Sequence, residues 1–503
     1  MRRLNDGEKR ELPRALDGKR AIPGPEHFSL EAVCRRFDAV YFLMFPGWKT
    51  ELRSNRWHYA TRWARHLPVT LVQPDLDTLQ RDGEVEAEPR IANSRILHVR
   101  HSNCAASYGT DSFLQTSQLR RDLRRQRYKK VLLWLYNPFM VGTYSMLSSA
   151  GRVQHATENY FGFPSLQPFL RDSMEISLSI SDHVIAVSQG VTAAVRRHAP
   201  TARVSEVSNG CDYAFYKSGR PDEEVLALHG QWTKIIVFAG NINGRLDFPL
   251  IEAACNAKPE MAFLFVGPVA PLAEDKGESW RRVAALPNAS HLGAVEAERL
   301  PDIYAAADLG IIPYENSPLM RDSFPLKALE MAACGLPVVT SEIPELRNQA
   351  YGVRVTGTPA EFVEAVGSMS RQRLSAAQSV ELDELARAHD YDGKFLSMLR
   401  SISGSVGVRN NKREREQRVA RCRPALWEKL FLAPPPPRRF GLRERQDRIR
   451  LPARSLRLLL LLRRRLASTL RLLLLRLIEL PALAPLRRAL RGSMVHRLVR
   501  RLL

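Results

Sequence analysis

The first 400 residues carry one pattern twice, and that repetition constrains the fold more than any other feature. Near-continuous apolar runs at 37–45 (FDAVYFLMF), 68–73 (PVTLVQ), 129–136 (KKVLLWLY) and 182–188 (DHVIAVS) read as buried strands. Helical stretches at 53–67 and 112–127 fall between them. Strands that are apolar on both faces and alternate with helices imply a parallel sheet covered on both sides. The pattern then restarts, with strands at 233–240, 261–267, 308–314 and 336–340 and helical segments near 247–257, 298–307 and 325–334. Between the two sets, 208–224 is polar and turn-rich and reads as a linker. The expected architecture is α/β, with two doubly wound domains over 31–215 and 216–403. Ligands of such sheets bind beyond the carboxyl ends of the strands, so two facing domains would enclose a cleft.

The net charge of +22 is concentrated at one end. Residues 405–503 hold 27 Lys/Arg against 6 Asp/Glu, which leaves the body almost neutral. Within this tail (404–503), the stretch 453–480 gathers Arg457, Arg464, Arg465, Arg471 and Arg476 on one side of a helical wheel. Leu459, Leu466, Leu470, Leu473 and Leu477 gather on the other, with Arg463 as an exception. A cationic, Leu-rich amphipathic helix reads as lying on an anionic membrane surface through residues 453–503. Packing on the body or on a second copy is the competing reading. Almost no aromatic residues interleave with the arginines, so nucleic acid is not expected as a partner. Residues 1–30 read as a charged, flexible extension without the apolar core of a secretory signal. No stretch approaches the roughly 18–20 apolar residues of a spanning helix. Six scattered cysteines without a C-x-x-C pair fit a reducing compartment. The expected location is cytoplasmic, peripheral on the inner face of the cell membrane.

The segment DSFPLKALEMAACGLPVV (322–339) places a cation where a helix should repel one. Pro325 suits the first turn of a helix that ends at Gly335, and Lys327 then sits close to the positive end. Lys327 and Glu330 are three residues apart and share a face. A diphosphate held between the helix N–H groups and Lys327 would make the lysine favourable, and Glu330 would reach a ribose diol. A plain surface ion pair is the alternative.

The run 300–346 (LPDIYAAADLGIIPYENSPLMRDSFPLKALEMAACGLPVVTSEIPEL) resembles the donor-binding segment of GT-B glycosyltransferases. It is most similar to the bacterial polysaccharide enzymes related to glycosyltransferase family 4, of the teichuronic-acid TuaH type. Their P-L-K, acidic residue and A-x-G-x-P-V-V pattern is matched at Pro325, Leu326, Lys327, Glu330, Ala333, Gly335, Pro337, Val338 and Val339. Further segments in the same order extend the resemblance over roughly 37–400. It implies two Rossmann-like domains, with Lys327 on the donor diphosphate and Glu330 on the nucleotide ribose. Asp322, eight residues before Glu330, stands where the family has a second acidic residue and would face the donor sugar. Gly240 and Gly244, in AGNING after a strand, would let backbone N–H groups approach phosphate, although the loop on its own reads first as a structural turn. Gly47, in FPGWK after the first strand, is placed for close backbone approach to the donor.

Glycosyl transfer needs a stabilised leaving diphosphate and a deprotonated acceptor hydroxyl. Lysine and helix N-termini neutralise phosphates, so no metal and no cofactor beyond the nucleotide-diphosphate sugar are expected. QHATENYFGFP (154–164) resembles the family's Y-D-x-x-D-D-x-x-x-F, with His155, Glu158 and Asn159 in place of the three carboxylates. His155 or Glu158 would serve as general base, or the two would only order the loop. The expected function is transfer of a sugar to a lipid-linked or cell-surface polysaccharide acceptor. A nucleotide-sugar epimerase and a non-catalytic membrane scaffold of the same fold are the alternatives.

Overall fold

Four of the apolar runs in the first half are strands of one sheet. They are β1 (Ala39–Leu43), β2 (Val69–Asp75), β5 (Val131–Leu135) and β7 (His183–Ala186), joined by β3 (Val85–Ala87), β4 (Ser94–Arg100), β6 (Gly151–Ala156) and β8 (Val204–Glu206). The computed structural model describes residues 28–44, 48, 51, 53–75, 83–101, 108–136, 138–163, 168–408 and 417–418. Gly47, most of the N-terminal extension and the amphipathic stretch 453–480 lie outside the described residues.

The strand order is β3-β4-β2-β1-β5-β6-β7-β8, and every pairing is parallel except β3 with β4. All residues of β1 and β5 are buried, as a sheet covered on both faces requires. Tyr41 of β1 lies between Thr70 and Leu133. The chain winds outward from β1 to β2 and β4, then returns to β1's other side at β5. That reversal opens a crevice at the carboxyl ends of β1 and β5.

The second half repeats the plan with β9 (Lys234–Ala239), β10 (Met261–Val266), β11 (Ala289–Gly293), β12 (Leu309–Ile312), β13 (Val338–Thr340) and β14 (Val353–Val355). Its order is β11-β10-β9-β12-β13-β14, all parallel, with the reversal between β9 and β12. Gly240 follows β9, and Pro313 and Tyr314 follow β12, so both loops meet at one crevice.

The strands β4 and β6 are missing from the sequence reading because charged and polar side chains lie inside them. Arg95 of β4 is held by Asp122 at 2.6 Å, and Arg152 of β6 donates to the carbonyl oxygens of Tyr144 and Leu147. The segment 208–224, read as a linker, contains the short helix Tyr213–Lys217 and the start of a second, Glu223–Ala227. Cys211 and Asp390 run side by side there, so the chain crosses between the halves twice. The helix Tyr391–Ser403, grouped by sequence with the second half, packs in the core of the first. Tyr391, Phe395, Met398, Leu399 and Ile402 lie there against Val33, Phe37 and Trp63. Each of these large apolar side chains contributes about 1.5–3 kcal/mol when fully buried. No helix among the described residues is long and apolar enough to cross a membrane.

Candidate functional site

The two crevices face each other across a cleft of about 590 Å³. That volume falls within the roughly 300–1,000 Å³ usual for small-molecule sites. Its wall in the second half contains Gly240, Asn241, Arg245, Tyr304, Lys327 and Glu330. In the first half it contains Arg53, Asn55, Arg56, Tyr136, Glu158 and Tyr160.

Lys327 and Glu330 are both in this wall, on the helix Leu326–Ala333. Pro325 is the N-cap residue and not the first helical one, and no side chain caps this helix. Proline has no hydrogen-bonding side chain to offer, so the first N–H groups remain available to whatever enters the cleft. The Lys327 ammonium lies 4.5 Å from the ring centroid of Phe238 and 5.1 Å from that of Tyr314. Those rings hold the amine by cation–π attraction without neutralising it. Gly240 has φ +141°, and a Cβ there would come within 2.7 Å of Lys327 Nζ. Its backbone therefore approaches the lysine as no other residue would allow. Gly244 lies outside the wall, and a Cβ on it would meet nothing within 4 Å. The phosphate role expected of Gly244 has no support from its position.

Glu330 sits one turn deeper among Tyr216 and Tyr304. Burial pushes its carboxyl up to about 7, against the pull of the Tyr216 hydroxyl and the Lys327 charge. Both tyrosines are pushed well above their ordinary range by burial and stay neutral. The folded carboxyl holds a proton that the unfolded chain releases near 4.5, so ionising Glu330 makes folding less favourable as pH rises from about 4.5 to about 7.

Asp322 stands beside the cleft, outside its wall. Asn159 Nδ2 donates to its carboxylate at 2.6 Å, and the Ser188 hydroxyl donates to its carbonyl oxygen at 2.5 Å. Gly190 packs directly on the carboxylate, and any side chain there would collide with it. Asp322 is thus a clasp between the halves, and the donor-sugar role expected of it is not supported by this placement. Glu345 adds to the clasp by accepting the backbone N–H groups of Gln189 and Gly190.

His155 and Glu158, both candidate bases, are separated by the fold. His155 is fully buried behind Tyr136, stacked on that ring at 5.3 Å and edge-on to Tyr59 at 4.7 Å. Burial pushes its imidazole down to about 3, and neither ring nitrogen has a hydrogen-bond partner. A ring so enclosed cannot take a proton from a substrate in the cleft, which removes His155 as the base. Its nitrogens are a cost to folding in an aromatic nest. His155→Phe should therefore hold or raise the melting temperature while turnover stays within about threefold. Loss of activity in a folded variant would reinstate the histidine.

Glu158 does reach the cleft, where it pairs with Arg245 of the second half at 2.7 Å. Arg53 makes a second bridge, to Glu298 at 2.9 Å, while its guanidinium lies 3.9 Å from the Phe215 ring centroid. Asn55 Nδ2 donates to Asn209 Oδ1, and Asn209 Nδ2 donates to the Phe324 carbonyl oxygen, each at 2.7 Å. That relay ties the start of the helix Asn55–Ala64 to the turn before Pro325. Sequence reasoning missed Arg53, Asn55, Arg56 and Arg245. Only Arg245 carried a local signal, being adjacent to the AGNING loop. Arg53 owes its position to a left-handed backbone, φ +58°, that no residue pattern announces.

Two sheets, parallel but for the β3 edge strand, close on one cleft with a cationic helix tip after β12, the plan of the GT-B class. Solved structures share this fold. Sucrose-phosphate synthase from Thermosynechococcus elongatus aligns with a TM-score of 0.55 at 15% identity, over 79% of this chain and 100% of that one. The Anabaena protein HepE, solved with UDP and glucose, aligns with a TM-score of 0.56 at 15% identity, over 73% of this chain and 99% of that one. Residues 233–372 match the family model described as Glycosyl transferases group 1. The chain has the GT-B fold, and residues 233–372 are similar to the group 1 glycosyl transferases. It is 28% identical over 202 residues to Bacillus subtilis TuaH, named for teichuronic acid biosynthesis, covering 39% of this chain and 50% of that protein. It is also 28% identical over 228 residues to a D-inositol 3-phosphate glycosyltransferase of Mycolicibacterium smegmatis, covering 41% of this chain and 49% of that protein. The chain thus spans about half the length, or less, of the curated relatives it matches.

Proposed function

We propose that the protein transfers a sugar from a nucleotide-diphosphate donor to a hydroxyl of a lipid-linked or cell-surface polysaccharide acceptor. The observation that carries this reading is the uncapped helix tip at the cleft, with Lys327 beside it and Glu330 one turn behind. The donor diphosphate would lie against the N–H groups of Leu326 and Lys327, the Lys327 ammonium and the Gly240 backbone. Glu330, ionised, would accept both hydroxyls of the nucleotide ribose. As the bond to the sugar breaks, charge grows on the diphosphate where these fixed donors already point. Arg245, in the same wall, would share that charge, and a diphosphate competing for it would loosen Glu158 to accept the acceptor's proton. Lys327, Arg245 and the helix tip would do the neutralising in place of a metal. The Arg/Leu-rich tail would hold the cleft at the inner membrane surface, where a lipid-linked acceptor is found.

Donor recognition is testable without knowing the acceptor. A panel of nucleoside diphosphates and their sugar esters should raise the melting temperature, by about 2.7 kcal/mol of added stability at a hundredfold excess over Kd. The effect should grow with pH. Only ionised Glu330 accepts both ribose hydroxyls, and a sugar diphosphate ester titrates nothing near neutrality. Affinity should therefore rise about tenfold between pH 6 and pH 8, as a carboxyl with pKa about 7 loses its proton. Glu330→Gln should flatten that rise. A panel in which no nucleotide stabilises the protein would defeat the proposal.

A further inference from the structure

The helix Tyr108–Gln126 lies outside the cleft wall and turns several polar side chains inward. Asp111, Gln115, Thr116 and Asp122 are buried there, beside Leu119 of the apolar core. Asp122 accepts the Tyr41 hydroxyl at 2.6 Å and the Arg95 guanidinium at 2.6 Å, and Gln115 donates to the Arg100 carbonyl oxygen at 2.8 Å. Its outward face carries Phe113 and Leu114, 45% and 37% exposed, followed by exposed Arg120, Arg121, Arg124 and Arg125. At about 100° per residue these six side chains and Ser117 fall within one arc of roughly 140°. No acidic residue lies in that arc.

Arg127, Lys129 and Lys130 continue the cationic surface beyond the helix end. Asp38, the carboxylate beside them, accepts the backbone N–H groups of Lys129 and Lys130 at 2.7 and 2.8 Å. Glu86 of the adjoining edge strand is engaged by His98 at 2.9 Å. Among the described residues, Arg121, Arg124 and Arg125 enter no ion pair. Like charges at Arg121 and Arg125, four residues apart, destabilise an isolated helix. An anionic partner removes that repulsion.

We propose that this face docks on an anionic phospholipid surface, with the arginines on headgroup phosphates and Phe113 and Leu114 at the acyl boundary. Arginine matches phosphate oxygens in a two-pronged geometry, and apolar side chains in the same arc gain by leaving water. A single-stranded nucleic acid would find one aromatic ring in the arc and no stacking ladder. The inference rests on the folded first half, independently of donor binding and of the basic tail.

Two measurements on the full chain test it. In cosedimentation with phosphatidylcholine vesicles containing about 30% phosphatidylglycerol, the triple variant Arg121→Glu, Arg124→Glu, Arg125→Glu should bind at least tenfold more weakly. Each surface cation contributes roughly a fivefold factor. Its nucleotide-induced stabilisation should be unchanged, which separates this result from any failure of the donor reading. Because the tail is present in both proteins, the second measurement localises the contact. Leu114→Trp should gain fluorescence quenching by bromine-labelled acyl chains beyond the wild-type background. Absence of that added quenching overturns the proposal. So does a triple variant that loses affinity for an oligonucleotide while keeping its affinity for vesicles.

Discussion

Replacing Lys327 by alanine should lower turnover by about 10²–10³-fold while leaving the melting temperature of the ligand-free protein nearly unchanged. The lysine adds little to the stability of the empty protein. It sits at the positive end of its helix and next to the Gly240 backbone, held by the faces of Phe238 and Tyr314 and by the charge of Glu330 when that carboxyl is ionised. Unfavourable helix-end charges cost about 0.3–1 kcal/mol, so its removal should not destabilise the fold. Its charge matters when negative charge develops on the leaving diphosphate, which is why the loss should fall more heavily on kcat than on the donor KM. Lys327→Arg would keep the charge but bring a longer, planar group against the Gly240 backbone, and it should recover only part of the rate. A Lys327→Ala protein that turns over normally would show that the diphosphate is held elsewhere.

The contrast between Lys327 and Asp322 explains how much of this protein was legible in its sequence. Lys327 and Glu330 are neighbours on one helix, so their shared face follows from spacing alone. Asp322 lies at a family-like distance from Glu330, yet its partner is Asn159, 163 residues away across the halves. Nothing in a linear pattern reports that contact. The same division runs through the fold. Strands such as β1, β5 and β10 are apolar throughout and announce themselves, whereas β4 and β6 carry Arg95, His98, Arg152 and His155 into the interior. Those side chains are stable there only because Asp122, Glu86, the Tyr144 carbonyl and three aromatic rings arrive from elsewhere in the chain. His155 was a fair candidate by its place in a motif. Its burial was decided by Tyr59, Trp134 and Tyr136, which no local rule connects to it.

With His155 enclosed, Glu158 is the first-half carboxylate left in the cleft wall, and Glu158→Gln should reduce kcat by about 10²–10⁴-fold. The choice of glutamine is what makes the experiment decisive. Its side-chain oxygen can still accept from Arg245, so the bridge between the halves survives and the cleft keeps its shape. What glutamine cannot do is take a proton. If Glu158 is only a strut for Arg245, the variant should work nearly as well as the parent, and the base must be sought among other groups. If Glu158 is the base, the variant should retain donor affinity and lose both rate and the acidic limb of the pH–rate profile. Arg245→Met provides the complementary case: it would release Glu158 but strip a cation from the diphosphate, so donor affinity and rate should fall together. The two variants therefore separate a carboxylate that receives a proton from one that merely anchors the guanidinium opposite.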